Sequence, residues 1–218
     1  MRSRTYKLKR PLDILMIIGG LLFPLLWPLW LIVIFIIPLL IWIEDRGPIF
    51  YSQDRIGKNK KVFKVIKFRT MIPDAEKVSG AVWSTKDDPR ITKIGHILRR
   101  TALDEIPQLL NILKGEMSFV GPRAEWPELH EKFAKEIPGF DKRLDVTPGL
   151  SGLAQINGSY DLDPKDKLVF DIDYSQNMSL FFDIKIIIIS VFNSIAAKWD
   201  QPDKWYYSAL TSNILTSK

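Results

Sequence analysis

The sequence predicts an α+β fold: a mainly helical monotopic membrane protein with a re-entrant N-terminal membrane helix, a small β-hairpin and interfacial amphipathic helices. Three observations lead to this prediction. Residues 14–43 contain no charged side chain and form one long apolar segment. Two short apolar runs, 48–51 and 62–68, enclose a stretch with turn chemistry at 54–60, which is typical of a hairpin. Much of the remaining chain repeats apolar residues at helical spacing.

The apolar segment is too long for an ordinary straight span. As one α-helix it would run about 45 Å, whereas the hydrocarbon core of a bilayer is about 30 Å thick. Pro24, Pro28 and Pro38 interrupt it, and an interior proline kinks or breaks a helix. The segment therefore forms either a tilted, kinked transmembrane helix or a helix that breaks near Pro24 or Pro28 and leaves by the same leaflet.

The charges beside the apolar segment favour the second alternative. Lys and Arg mark the cytoplasmic flank of a membrane segment, and here they stand on both sides. The basic flanking residues are Arg2, Arg4, Lys7, Lys9 and Arg10 before the segment and Arg46, Arg55, Lys58, Lys60 and Lys61 after it. We therefore expect residues 1–45 to form a re-entrant helix, residues 46–200 a cytoplasmic domain and residues 201–218 a C-terminal tail.

Helix signals in the cytoplasmic part are local and ordered. Thr92 is suited to cap a helix that continues through Arg100. Apolar residues from Leu103 to Leu113 recur at helical spacing, and Gly115 is a usual C-cap residue. Residues 125–137 and 164–176 are also predicted to be helical, and residues 147–152 form a turn-rich loop. The apolar stretch 183–199 fits equally a core helix and an interfacial helix lying on the bilayer.

Composition narrows the possible functions. The chain has 218 residues and no cysteine, which excludes disulfides, zinc–thiolate sites and a cysteine nucleophile. Its net charge is +6 and its pI about 9.4, so an anionic partner is expected. Aromatic and basic residues are not interleaved and no nucleic-acid motif is present, so nucleic acid is not the expected partner. The two histidines are isolated, which argues against a histidine metal site.

The most informative motif is a pair of adjacent carboxylates, Asp104-Glu105, that follows two arginines and precedes Pro107. Proline is tolerated in the first turn of a helix, so Asp104 is predicted to be an N-cap or first-turn residue. The positive end of that helix would keep Asp104 ionised and attract phosphate. An ionised carboxylate there can attack phosphorus, and Glu105 could hold Mg²⁺. The alternative is that Asp104 only caps the helix and Glu105 only pairs with a neighbouring arginine.

Several ordered motifs resemble a known family, the bacterial sugar transferases called monotopic phosphoglycosyl transferases. The resemblance is carried by residues 99–111, which contain Asp104-Glu105, and by residues 114–123, which end in Gly121-Pro122-Arg123. Further similar segments are residues 9–13, 47–50, 67–71 with 74–76, 88–95 and 148–158. The resemblance covers nearly the whole chain and includes the re-entrant membrane helix.

The resemblance implies an enzyme that moves a sugar-1-phosphate from a UDP-sugar to undecaprenyl phosphate with Mg²⁺ and releases UMP. The implied place is the cytoplasmic face of the bacterial inner membrane, among membrane lipids. Asp104 would be the nucleophile that forms a covalent phospho-sugar, and Glu105 would bind Mg²⁺ with it. The implied residues for substrate or phosphate binding are Arg99, Arg123, Arg143, Lys67, Gln155 and Asp171. The sugar, the glycoconjugate pathway and the oligomeric state, a homodimer included, stay open.

The chain departs from the family pattern at three places. Ala124 replaces the second proline of a Pro-Arg-Pro motif, and Thr147 replaces a basic residue before the Pro-Gly turn. Phe23-Pro24 or Trp27-Pro28 must replace the usual Ser-Pro at the helix break, without a serine hydroxyl to bond a freed carbonyl.

Two other functional classes are compatible with parts of the sequence. Asp161-Leu162-Asp163 and Asp171-Ile172-Asp173 have the spacing of a metal-dependent Asp-x-Asp glycosyltransferase, although neither follows a convincing buried strand. The basic charge would also suit a non-catalytic membrane adaptor or nucleic-acid binder.

Overall fold

The computed structural model describes residues 6–75, 88–158 and 162–196. The N-terminal segment begins with α1 (Lys9–Leu22), which ends where Phe23 adopts an extended conformation before Pro24. A 3₁₀ turn (Pro24–Leu26), α2 (Trp27–Leu31), a π-helical turn (Ile32–Ile36) and α3 (Ile37–Asp45) follow. The stretch Pro24–Asp45, with mean hydropathy 2.6, is long and apolar enough to cross a membrane by length and composition.

Two tryptophans bond the carbonyls that this break frees at the end of α1. The Trp30 indole N–H donates to the Gly20 carbonyl at 2.9 Å, and that of Trp27 donates to the Leu21 carbonyl at 3.3 Å. The final carbonyls of a helix have no partner within it, and apolar surroundings offer none. The indoles therefore replace the serine hydroxyl that the sequence lacks, and the break lies at Pro24 rather than Pro28.

Both ends of the apolar segment bind the same domain. Near its start, Arg10 donates hydrogen bonds to the carbonyls of Ile112 and Leu113, the second at 2.7 Å. At its end, the Glu44 carboxylate accepts the backbone N–H groups of Lys93 at 2.7 Å and Ile94 at 3.2 Å. Thus the two ends cap two helices that stand on either side of the Asp104 motif.

The predicted hairpin is present, with β1 (Phe50–Ile56) antiparallel to β2 (Val62–Phe68). The predicted bounds of β2 are confirmed, but the first strand continues five residues past the predicted end at Tyr51. The reason is cross-strand pairing, which places Asp54 opposite Lys64 on the exposed face of the two-stranded sheet. Only residues 57–61 form the turn, where Asn59 and Lys60 have positive φ.

The remaining elements follow in chain order as α4 (Lys93–Thr101), a 3₁₀ helix (Leu103–Gln108), α5 (Leu109–Lys114), β3 (Ser118–Val120), α6 (Pro127–Glu136), a 3₁₀ helix (Phe140–Asp145), β4 (Gly149–Ser151), α7 (Leu153–Asn157), α8 (Pro164–Asn177) and α9 (Leu180–Ile195). Helices are present in the four regions where they were predicted, from about residues 93, 103, 125 and 164 onward. The predicted Gly115 C-cap is also confirmed, with φ of 81°.

The turn-rich stretch 147–152 is partly a strand, because β4 pairs in parallel with β3. The pairing brings two glycine backbones together: a Cβ on Gly149 would lie 2.1 Å from the Gly121 nitrogen. A strand that depends on such a distant partner gives little local signal.

The largest core cluster lies between this strand pair and the last helices. Its fully buried members include Val120, Ile156, Phe170, Tyr174 and Ile186. Helix α9 supplies Ile186 to the core and presents an opposite apolar face, on which Phe181 is 83% and Ile195 is 81% exposed. The predicted core packing is thus confirmed for one face, and the interfacial alternative stays a prediction for the other. The predicted end at residue 199 and the tail 201–218 lie outside the described residues.

A buried polar cluster joins α1 to α8 and α9. The Lys9 ammonium donates to the Asp183 carboxylate at 2.7 Å and to the Tyr174 hydroxyl at 2.8 Å. The Tyr6 and Tyr174 hydroxyls donate to the same carboxylate. Buried charges are stable only when paired and hydrogen-bonded, so the cluster fixes where α1 begins.

Candidate active site

Helix α4 is held against the end of the hairpin by close backbone contact. The Thr92 hydroxyl accepts the Gly95 N–H at 3.0 Å, which confirms the predicted N-cap. Gly95 lies so near the Thr70 carbonyl that a Cβ would be 2.1 Å from its oxygen. One helical turn later, Arg99 Nε donates to the Thr70 hydroxyl at 2.9 Å. This contact orients Arg99 towards the carboxylate pair.

The carboxylate pair stands in the first turn of a 3₁₀ helix, as predicted for its position but not for its helix type. Ala102 has a left-handed conformation (φ 56°), ends α4 and starts the 3₁₀ helix. Pro107 has no N–H to donate to the Leu103 carbonyl, so an α-helix that starts here would lack one of its first bonds. Lys67 and Arg123 bond Glu105 and also act on the charge of Asp104, so both carboxylates lie beside the same cations.

Asp104 is nearly buried, with 7% of its surface exposed, and its carboxylate accepts no hydrogen bond from any residue that the structure describes. Burial raises the pKa of Asp104 to about 6; Lys67 opposes this rise and Glu105 adds to it. Burial thus opposes the predicted effect of the helix end, which was expected to hold this carboxyl ionised. At neutral pH the group is still mainly ionised.

Glu105 is the centre of a three-residue ion cluster. Its Oε1 accepts a hydrogen bond from Lys67 Nζ at 2.6 Å and another from Arg123 Nη2 at 2.7 Å. Burial alone would raise the pKa of Glu105, but the charges of Arg123 and Lys67 outweigh it and bring the pKa well below its usual value. Glu105 is thus a permanent anion, and its Oε2 receives no hydrogen bond within the described ranges.

Arg143 and Asp171 form a buried ion pair behind this cluster. The Asp171 carboxylate accepts Arg143 Nε at 2.9 Å and Nη2 at 2.8 Å, and Arg143 is 3% exposed. Arg143 Nη2 also donates to the Arg123 carbonyl at 2.9 Å. The structure therefore places both residues where they position Arg123, with the guanidinium of Arg143 already occupied by protein groups.

Gln155 lies on α7 and contacts β4. Its amide nitrogen donates to the Leu150 carbonyl at 3.2 Å, and its Oε1 is buried without a partner in the described part of the chain. Of the predicted site residues, Asp104, Glu105, Lys67, Arg99 and Arg123 are brought together, since all four others act electrostatically on Asp104. Arg143 and Asp171 form the second layer and Gln155 stands apart.

Sequence reasoning assigned no role in the active site to Gln108, Arg55 or Thr70. Gln108 and Arg55 line a small cavity together with Lys67 and Arg123. Arg55 is fixed there by a hydrogen bond to the Ala124 carbonyl at 3.1 Å. Gln108 follows Asp104 by four residues, which is one turn of the α-helix that the sequence predicted, so the spacing in the motif itself was the available signal.

The carboxylate pair offers oxygen ligands of the kind that Mg²⁺ prefers. Magnesium is usually held by one or two carboxylates together with substrate phosphates. No group of three or more His, Cys, Asp or Glu side chains suited to a metal occurs among the described residues. The free oxygens of Asp104 and Glu105 nevertheless fit a cation that completes its shell with phosphate oxygens.

The Asp-x-Asp alternative finds no support in the described residues. Asp171 and Asp173 lie two positions apart in the middle of α8 and cannot face one metal ion. Asp171 is paired with Arg143, and Asp173 accepts a hydrogen bond from Asn177 at 2.9 Å. Of the other candidate motif, Asp161 lies outside the described residues.

Comparison with known proteins gives the family. The family model described as "Bacterial sugar transferase" matches residues 4–197. The chain belongs to the bacterial sugar transferase family. This confirms the predicted resemblance and the predicted class of enzyme, a transferase.

Three relatives illustrate the similarity. A Bacillus subtilis (strain 168) protein, provisionally named an undecaprenyl-phosphate N-acetylgalactosaminyl 1-phosphate transferase, is 50% identical over 65% of this chain and 75% of its own length. The UDP-glucose:undecaprenyl-phosphate glucose-1-phosphate transferase of Escherichia coli (strain K12) is 41% identical over 74% of this chain, but the match spans only 36% of that longer protein. The exopolysaccharide production protein PSS of Rhizobium leguminosarum bv. phaseoli is 39% identical over 86% of this chain and 95% of its own length.

Proposed function

We propose that this protein transfers a sugar-1-phosphate from a UDP-sugar to undecaprenyl phosphate and releases UMP, as the first membrane step in assembling a bacterial glycoconjugate such as an exopolysaccharide, a capsule or an O-antigen. The relatives above carry names for this reaction or for exopolysaccharide production. The observation that carries the proposal is the pairing of an unbonded, buried Asp104 carboxylate with Glu105, which Lys67 and Arg123 hold ionised.

The chemistry that this arrangement supports is a double displacement. An Asp104 oxygen attacks the sugar-linked phosphorus of the UDP-sugar, the P–O bond to UMP breaks, and UMP leaves with the bridging oxygen. A phosphate oxygen of undecaprenyl phosphate then attacks the aspartyl phospho-sugar and frees Asp104. A nucleophile needs a lone pair that is not committed to a donor, and the Asp104 carboxylate satisfies this condition.

Positioning and charge neutralisation provide most of the catalysis in phosphoryl transfer. Arg99, Lys67 and Arg123 are the cations that lie near enough to Asp104 to act on it, so they are suited to bind the diphosphate. Arg143 and Asp171 would hold Arg123 in place from behind. Gln155 supports the Leu150 backbone next to the strand pair.

We assign the Mg²⁺ site to Asp104 and Glu105, whose oxygens are available in the described structure. A bound Mg²⁺ would neutralise charge on the transferring phosphoryl group. The protein's own contribution is to keep Glu105 ionised with two cations, so that this carboxylate stays anionic at any physiological pH.

We further propose that the N-terminal segment is re-entrant and that the active domain lies on the cytoplasmic face. Three features support this placement: the break at Phe23-Pro24, the indole bonds that close it, and the attachment of both segment ends to one domain. The exposed apolar face of α9 is suited to lie in the lipid interface beside it. Undecaprenyl phosphate would then reach Asp104 from within the bilayer.

The decisive experiment traps the intermediate. The full chain in detergent is incubated with Mg²⁺ and a panel of UDP-sugars without polyprenyl phosphate, and intact-mass and peptide mass spectrometry are used to find a phospho-sugar. We expect an adduct on Asp104 with release of UMP, and no adduct in Asp104→Asn. Turnover of the Asn variant at the normal rate, or an adduct on another residue, would refute the proposal.

A further inference from the structure

Gln108 is a buried amide without a hydrogen-bond acceptor. It is the last residue of the 3₁₀ helix that carries Asp104, and 3% of its surface is exposed. Its Nε2 has no partner among the residues that the structure describes. Buried polar groups are nearly always hydrogen-bonded, and an unpaired donor destabilises the folded protein. Such a group therefore indicates an acceptor that the described residues do not supply.

The polar side chains that line the cavity beside Gln108 are mainly hydrogen-bond donors. Lys67, Arg123 and Arg55 contribute cationic side chains to its wall, and Val65 and Met117 contribute apolar surface. Lys67 and Arg123 also pair with Glu105, so two cations of the cavity wall are shared with the carboxylate pair. A ligand that fits this wall must be rich in acceptors and negatively charged.

A phosphate group satisfies these conditions better than a nucleobase or a sugar. A base presents donors as well as acceptors and usually stacks on an aromatic ring. No aromatic side chain lines the cavity in the part of the chain that the structure describes. Sugar hydroxyls also donate as well as accept, and they carry no charge to match the cationic wall.

We propose that the Gln108 side-chain amide donates a hydrogen bond to a phosphate oxygen of the donor nucleotide, which makes Gln108 a substrate-binding residue. This inference rests on the proposed function and assigns a residue to it. It predicts that removal of the amide weakens binding without lowering stability, because the unpaired donor destabilises the free protein and contributes only when the phosphate is bound.

The test uses Gln108→Met, which keeps the length of the side chain and removes the donor. Binding of UMP, of uridine and of inorganic phosphate to the full chain in detergent is measured with Mg²⁺ by calorimetry or ligand-observed NMR. We expect UMP to bind about tenfold more weakly or worse, as for loss of a hydrogen bond to a charged group. Inorganic phosphate should weaken similarly, uridine should be unaffected, and the Tm should stay the same or rise.

Asn193→Leu is the matched control. Asn193 also has a buried amide nitrogen without a partner in the described structure, but it lies on α9 and does not line the cavity. Its replacement should change the Tm in the same direction as Gln108→Met without changing UMP affinity. A loss of UMP binding in both variants would show a general effect on the fold and overturn the inference.

Other outcomes are equally clear. Unchanged UMP affinity in Gln108→Met would mean that a water molecule or nothing satisfies the amide, and equal weakening of uridine would mean that it binds the nucleoside; either result overturns the inference. If the wild type forms the Asp104 adduct while these tests fail, only the role of Gln108 is wrong. If the wild type neither binds UMP nor forms the adduct, the proposed function itself fails.

Discussion

The buried pair of Arg143 and Asp171 allows positioning to be separated from substrate contact. Asp171→Asn would remove one charge and leave the Arg143 guanidinium buried, with Glu125 as the nearest remaining carboxylate at 3.8 Å. Removing one partner of a buried ion pair costs about 3–5 kcal/mol. Because Asn can still accept one hydrogen bond and Glu125 gives partial compensation, we expect the lower end, about 3 kcal/mol.

That loss is measurable by thermal unfolding in one detergent. For a chain of this size about 3 kcal/mol corresponds to a Tm lower by roughly 6–12 °C. Lys60→Met is a suitable comparison, because it breaks the Lys60–Asp141 pair, whose side chains are 63% and 47% exposed. Exposed pairs contribute about 0–1 kcal/mol, so its Tm should hardly move. Equal shifts in the two variants would refute the assignment of a buried pair.

The double variant Arg143→Met with Asp171→Leu tests what the pair does for catalysis. Replacing a buried ion pair by apolar residues is often neutral for stability, so the Tm should largely recover. The hydrogen bond from Arg143 to the Arg123 carbonyl is lost, however, so kcat should be lower than in the wild type. Recovery of normal activity together with stability would show that the pair supports only the fold and does not position Arg123.

Three further predictions concern single positions. Since burial raises the pKa of Asp104 to about 6, the rate of UMP release at limiting Mg²⁺ should fall as the pH drops through about 6. The inflection in the pH–rate profile should move to lower pH as the Mg²⁺ concentration rises, because the cation and the proton compete for the same oxygens. An inflection that stays fixed would contradict this. Trp30→Phe leaves the Gly20 carbonyl unbonded and should cost about 1–3 kcal/mol by thermal unfolding, whereas an unchanged Tm would mean that the indole does not support the break. Gly95→Ala introduces a Cβ that would lie 2.1 Å from the Thr70 carbonyl oxygen, and it should lower the free energy of unfolding by about 1–3 kcal/mol or more. Gly19→Ala is the control, because its Cβ would meet nothing within 4 Å and the change should be neutral or stabilising. Equal effects of the two variants would contradict the prediction.

Local signals in the sequence predicted local structure well. Thr92 caps its helix through its own hydroxyl, and Gly115 ends another with positive φ, because both functions depend on residue type and immediate neighbours. The strand at residues 149–151 was missed, since it exists only through pairing with residues 118–120. The first hairpin strand was predicted too short for the same reason.

The site was predictable in its residue types but not in its electrostatics. Adjacent carboxylates and nearby arginines indicated phosphate chemistry, yet the spacing alone could not bring Lys67 and Arg123 to one oxygen of Glu105. The rise in the pKa of Asp104 was not predicted, because desolvation depends on the packing of distant segments. Arg143 has the residue type of a phosphate ligand, and only the folded chain shows its charge satisfied by Asp171.

The contact between Lys9 and Asp183 sets an order of events during synthesis. The two residues are separated by 174 positions, so the lysine that starts the first helix leaves the ribosome long before its counter-ion exists. At usual translation rates the interval is roughly 10–35 s. During that time the first helix can associate with its surroundings while its ammonium is hydrated or held by anionic headgroups. Arrival of the last two helices then exchanges those temporary partners for the Tyr174 hydroxyl and the Asp183 carboxylate, so completion of the chain is what fixes its beginning.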